Sequence, residues 1–284
     1  MTDAEIFARA LRRRRRDRAA QDYAAHDFVR AHMLDGIAER LDAVRRSFGE
    51  VLDLGCFDGR FTMSRTMSGA RIARVDAGFA FACGAGAVQA DEDRLPFADA
   101  CFDLVVSAGV LDSVNDVPGA LALARRVLRP DGLFLGAFVG AGSLATLRGA
   151  LREAERDRPV ARLHPQIDVR AAGDLLGRAG FALPVADTET LTVRYRDLFG
   201  LLHDLRGMAA GNLLSGTPSL DRAALFRAAA AFAERADADG RTAERFEIVY
   251  LTGWAPDPSQ PQPAKRGSAT VSLATELRHP RKSS

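Results

Sequence analysis

Val51-Leu52-Asp53-Leu54-Gly55-Cys56-Phe57-Asp58-Gly59 decides the fold of this chain. A short apolar run ends in an acid, and glycines at positions 55 and 59 bracket a turn that should open a helix. A strand followed by a tight glycine turn and a helix is the first unit of an open parallel sheet. Ligands of such sheets bind beyond the carboxyl ends of the strands, near the switch in strand order. Glycine permits the backbone to approach a ligand there, although a tight turn requires glycine for its conformation alone.

Working outward, apolar runs alternate with helical patterns. Ile72–Val75, Val88 with its neighbours, Phe102–Val106 and Leu133–Phe138 read as strands. Val117–Leu128 has helical periodicity, and Arg129-Pro130-Asp131-Gly132 reads as a tight turn before the fifth strand. Strands alternating with helices imply a parallel sheet covered on both faces, with right-handed crossovers. Helices are expected near 143–156, over Val169–Ala179 ending at Gly180, and near 195–207 and 219–236. Leu191–Val193 is strand-like, and Phe246–Leu251 alternates as a half-buried strand ending at Trp254. Residues 3–47 read as two helices. The expected organisation is an N-terminal helical segment over 1–48 and a domain over 49–255 with a helical insertion at about 194–240. A Pro-rich linker and basic tail over 256–284 follow.

Acids add chemistry to the first turn. Asp76 ends the second strand, where a carboxylate can accept both hydroxyls of a ribose. Asp91 and Glu92 follow the third strand, in position for an adenine amine. Taken singly, each is better explained by a solvated surface or a helix cap. With Asp53, Gly55 and Gly59 they form one ordered set.

That set resembles the class I S-adenosylmethionine-dependent methyltransferases: DLGxxxG, an acid ending strand two, Asp91-Glu92 before Leu95-Pro96-Phe97, then Phe102-Asp103-Leu104-Val105-Val106-Ser107 and Leu128-Arg129-Pro130-Asp131-Gly132. The resemblance implies an α/β Rossmann-like fold. Its sheet would be mostly parallel and seven-stranded, with helices on both faces and an antiparallel last strand supplied by Phe246–Trp254. It implies S-adenosylmethionine as cofactor, bound around Asp53, Gly55, Gly59, Asp76, Asp91 and Glu92. A narrower resemblance is to the complex I assembly factor 5 family. It rests on Ile6-Phe7 through the arginine run, Val114-Asn115-Asp116, Leu176–Phe181, Asp204–Met208 and Pro263–Ser272. It implies a protein substrate, with members linked to hydroxylation of an arginine on a quinone-site subunit of complex I. A malonyl-carrier O-methyltransferase would share the core but not the tail, and a non-catalytic assembly factor with a degenerate cofactor site would share both.

Two places depart from the pattern, Phe57-Asp58 and Asp112-Ser113. Phe57 stands where a glycine normally clears space for the methionine end of the cofactor, and it either competes for that space or turns outward onto the next helix. Asp58 would repel the cofactor carboxylate if it points inward. Asp112-Ser113 replaces a His-Trp pair, and Asp112 reads as a solvated loop acid ahead of a general base. No catalytic residue is evident. Methyl transfer needs alignment of acceptor and methyl donor, without a covalent intermediate.

Composition bounds the partners. A net charge of +2 points to no bulk association with nucleic acid. Arg12 to Arg16 are five consecutive arginines, read first as a solvated face. Together with the tail's Lys265, Arg266, Arg278, Arg281 and Lys282, they would support at most a peripheral contact with an anionic membrane. Cys56, Cys83 and Cys101 lack metal-site spacing, no pair of the five histidines has metal-ligand spacing, and no metal is expected. His164 and His203, with Asp168 and Asp204, are the nearest approach to an iron triad, though the histidines read first as capping or surface residues. With neither a spanning segment nor a secretory signal, the expected location is the cytoplasm of a bacterium, at most peripheral at the inner membrane, or the mitochondrial matrix side in a eukaryote.

Overall fold

A computed structural model describes residues 5–61, 69–84 and 86–261. Its centre is a seven-stranded sheet in the order β3-β2-β1-β4-β5-β7-β6. The strands are β1 (Glu50–Leu54), β2 (Arg71–Asp76), β3 (Ala87–Gln89), β4 (Phe102–Ala108), β5 (Leu128–Val139), β6 (Ala182–Tyr195) and β7 (Thr242–Trp254). The first five run parallel. β7 inserts antiparallel between β5 and β6. Strand order reverses between β1 and β4, so the ligand crevice of such a sheet falls at their carboxyl ends.

Side-chain alternation explains why helices cover both faces. On β4 and β5, Leu104, Val106, Leu133, Leu135 and Ala137 point to one side, with Ile37, Leu41, Tyr250 and Phe246. α2 (Phe28–Asp42), α4 (Ala145–Ala154), α6 (Leu198–Gly207) and α7 (Arg222–Ala233) pack there. Val105, Phe134 and Phe138 point to the other side, against α3 (Val117–Val127) and α5 (Val169–Arg178). Both faces are apolar, as a buried parallel sheet requires.

Helix starts are written locally. Asp116, Asp168, Asp197 and Asp221 each accept a backbone N–H of the first turn of α3, α5, α6 and α7. α4 has no such residue. Buried Glu244 of β7 instead accepts from Thr146 N–H at 3.2 Å and Leu147 N–H at 2.7 Å.

The structure differs from the sequence expectation in two places. β6 spans Ala182–Tyr195 where only Leu191–Val193 read as strand. It is an edge strand exposed along much of its length, so it carries no apolar alternation, and Pro184 is tolerated at a bulge. Arg129–Gly132 is not a free turn but the irregular start of β5, with Asp131 at φ +59° and a register shift against β4. The helix expected after Gly59 and the tail motif from Pro263 lie outside the described residues, as do the tail's basic residues. Among the described residues, no helix is long and apolar enough to cross a membrane.

Candidate cofactor site and its arginine helix

The β1 turn is built as the sequence implies. Gly55 adopts φ +80°, and a Cβ there would collide with the Val110 side chain. Gly59 adopts φ +72°. Gly55 N–H and Cys56 N–H both donate to Val75 O, tying the turn to the end of β2. Phe57 follows at φ +47°, a left-handed conformation that costs a residue with a side chain about 1–2 kcal/mol.

The expected site residues converge at the carboxyl edge of β1–β3. Asp53 is fully buried, and among the described residues its nearest cation is Arg30 at 3.7 Å and neither oxygen has a hydrogen-bond donor. Burial pushes its carboxyl up to about 6. Asp76 accepts from Phe57 N–H at 3.0 Å and from Gly78 N–H at 2.8 Å. Asp91 and Glu92 are buried beside it. Gly59 stands at the outer end of the turn, with Arg74 close behind it.

These acids are already engaged. The first helix, α1 (Arg9–Ala19), lies across them. Arg12 donates twice to Glu92, at 2.7 Å each, and Arg16 donates to Asp76 at 3.2 Å. Arg9 forks onto Asp93 at 2.7 and 2.6 Å, and Arg13 reaches Asp91 at 2.7 Å. The solvated reading of the arginine run is therefore corrected. A helix turns once in about 3.6 residues, so positions 9, 12 and 16 share one face, and that face is inward. Arg12 and Arg16 are 5% and 3% exposed, while Arg13 and Arg14 stay outside. Two of the five arginines are thus withheld from any membrane contact.

Phe57 points inward. Its ring is buried, stacks on Tyr23 with centroids 4.8 Å apart, and meets Phe81 edge-on at 5.5 Å. The Arg16 guanidinium sits 3.7 Å above its centre. Arg30 closes the far side at 4.9 Å and donates to the Gly55 carbonyl. Asp58, feared as a free charge, is paired with Arg60 at 2.7 Å. Tyr23, Phe81, Arg30 and the inward arginines were not singled out from the sequence. The spacing of Arg12 and Arg16 by four was the available signal.

Beyond β4, Asp112 is not a solvated loop acid. It sits half-buried in a short 3-10 turn and lines a cavity of about 60 Å³ with His164, Gln166, Met208 and Asn212. Burial pushes it up to about 6, opposed by its backbone hydrogen bond and by Arg12. A carboxyl raised on folding destabilises the fold most above about pH 6, and that penalty fades as pH falls toward the unfolded value of 3.8. Asp112→Asn should therefore stabilise the protein by about 1–2 kcal/mol at pH 8 and by nothing near pH 4, read from urea melts at both pH values. His164 is not a surface residue. Its Nε2 accepts Leu213 N–H at 3.0 Å, and burial lowers its pKa to about 4. Asp204 holds His26 at 2.9 Å, and among the described residues no three His, Cys, Asp or Glu side chains converge as metal ligands.

The donor set fits an adenosine: buried carboxylates end β2 and follow β3, and Asp53 has two oxygens unpartnered among the described residues for an ammonium group. The space does not fit. Between Arg12, Arg16, Phe57, Gly109 and Asp112 remains a cavity of about 40 Å³. That is room for a single water, against ~300–1,000 Å³ for a small-molecule site. With α1 in this position, its arginines cover Asp76, Asp91 and Glu92.

Comparison with known proteins places the chain. Residues 52–136 match the family described as "Methyltransferase domain". The chain is 35% identical to "Arginine-hydroxylase NDUFAF5, mitochondrial" of Danio rerio over 95% of its own length and 88% of that protein's. The human protein of the same name is 36% identical, over 94% and 82%. A "Malonyl-[acyl-carrier protein] O-methyltransferase" of Methylovorus sp. is 31% identical, over 89% and 91%. Among solved structures, the YcgJ protein from Bacillus subtilis superposes with a TM-score of 0.54 at 17% identity, covering 80% of this chain and 99% of that one, and supports the fold alone. S-adenosylmethionine is the cofactor class of this fold. The chain belongs to the class I S-adenosylmethionine-dependent methyltransferase superfamily and, within its methyltransferase-like enzymes, to the family of the NDUFAF5 arginine-hydroxylases.

Proposed function

We propose that this protein uses a methyltransferase fold to modify an arginine side chain of a respiratory complex I subunit during assembly of the complex, with S-adenosylmethionine as its cofactor. The modification is hydroxylation or methylation, and the subunit is one that builds the quinone site. The reading is carried by identity to arginine-hydroxylases along nearly the whole chain. The site adds a chemical argument. Its carboxylates and aromatic rings already hold guanidinium groups from two directions, Arg12 by a planar double hydrogen bond and Arg16 by stacking on Phe57. In a bacterium the reaction would take place on the cytoplasmic side of the inner membrane, and in a eukaryote on the matrix side.

Mass spectrometry of complex I subunits from cells with and without the protein tests this. One arginine-containing peptide should gain an oxygen or a methyl group only when the protein is present. Identical masses would remove the enzymatic reading. In its place would stand a second one, favoured by Phe57 and the 40 Å³ residual cavity: an assembly factor that keeps the fold without turnover. It expects complex I to fall when the protein is lost while every subunit mass is unchanged. The 31% identity to a malonyl-carrier O-methyltransferase supports a third, which stands or falls on methyl transfer to malonyl carrier protein.

A further inference from the structure

We propose that α1 is an internal competitor for the cofactor: its arginine face and S-adenosylmethionine are alternative occupants of one carboxylate cluster, so the cofactor enters only when α1 leaves. This rests on the reading that the chain binds S-adenosylmethionine. The acids that α1 engages, Asp76, Asp91 and Glu92, are those which the fold offers to an adenosine. A guanidinium and a nucleoside cannot share them, because the buried Arg12 and Arg16 side chains fill the space in front of Glu92 and Asp76. The approach is close: a Cβ on Gly78, two residues past Asp76, would lie 2.6 Å from the Arg16 Cβ.

How α1 is held suits a part that detaches. Its buried face is Arg12, Arg16 and Ala19, with no large apolar residue among them. No side chain caps its N-terminus. Ion pairs seat it, together with Arg16 stacked on Phe57, Arg15 donating to the Asn212 carbonyl, and Asp17 accepting from Ala80 N–H at 2.9 Å. The chain on either side is better anchored. Phe7 is buried and exchanges two backbone bonds with the Asn115 amide, at 2.8 and 3.0 Å, and Tyr23 is buried against Phe57. Those anchors keep a released α1 close enough to re-dock. The apparent affinity for cofactor is then the intrinsic affinity multiplied by the open fraction.

Two measurements on the full chain test this. Hydrogen–deuterium exchange over residues 9–19 is followed with and without S-adenosylmethionine. Its binding is also measured by calorimetry on the wild type and on Arg12→Gln/Arg16→Gln. The expected result is faster exchange across α1 when cofactor binds, and at least about tenfold tighter binding by the double variant. If cofactor binds while α1 stays equally protected, competition is overturned and the cofactor reading stands. That outcome needs no variant and survives any failure of the double variant to fold. If cofactor binds to neither protein up to millimolar concentration, the cofactor reading itself fails and takes the competition with it.

Discussion

Glu92→Ala should lower the unfolding free energy by about 3 kcal/mol, the lower end of the ~3–5 kcal/mol for breaking one side of a buried ion pair. The variant leaves the Arg12 guanidinium inside the protein without its two hydrogen bonds. Its remaining carboxylate neighbour, Asp91, is 3.9 Å away, which softens the loss. The cost belongs to the stranded charge more than to the pair. Arg12→Met/Glu92→Leu should therefore recover most of the stability, because matched apolar groups remove both desolvation penalties. The pH dependence follows the same bond. Burial alone would raise the Glu92 carboxyl, but Arg12, by charge and hydrogen bond, and then Arg16 hold it below its ordinary 4.5. A depressed carboxyl contributes stability that is complete above its unfolded value and is lost as pH falls through its folded one. The gap between wild type and Glu92→Ala should thus be widest at neutral pH and narrow progressively as pH falls below the unfolded value of 4.5, measured by urea unfolding.

The Arg12–Glu92 pair also marks the limit of what the sequence discloses. The sheet was legible because β1, β4 and the second half of β5 are buried and predominantly apolar, and β2 is short and, over Ile72–Val75, apolar apart from Arg74. The acids of the site were legible because they sit at fixed places relative to those runs. β6 was not, since an exposed edge strand has no apolar face to repeat. The inward arginines were hidden for a different reason. Composition treats five arginines in a row as one polar block, whereas a helix sorts them by angle, and Arg12 and Arg16 fall on the buried side. Their burial is sensible only with Glu92 and Asp76 opposite, residues 80 and 60 positions further along. No local pattern carries that pairing. Asp112 was misread in the same way: its neighbours in sequence suggest a loop, and its neighbours in space, His164 and Met208, make it a half-buried acid.

Phe57→Gly should cost about 2–3 kcal/mol of stability while raising affinity for S-adenosylmethionine, a pairing of signs that follows from two opposed terms. Deleting a buried phenyl ring costs about 3–5 kcal/mol, here including its stack on Tyr23 and its contact with Arg16. Against this, the residue sits at φ +47°, where glycine carries no penalty and any side chain does, returning about 1–2 kcal/mol. Phe57→Ala keeps the strain and loses the ring, so it should be the less stable variant by about 1 kcal/mol, a reversal of the usual order of alanine over glycine. Thermal melts of the three proteins check that order. If alanine is the more stable, the left-handed turn is not strained as described. The rise in affinity has two sources in the same deletion. The ring's volume becomes available where the residual cavity is now about 40 Å³, and Arg16 loses the surface it stacks on, which loosens α1. Calorimetry on Phe57→Gly and Phe57→Ala separates stability from space: both variants open the volume, so both should gain affinity although they differ in melting temperature. A gain confined to glycine would assign the obstruction to the backbone of the turn instead of to the ring.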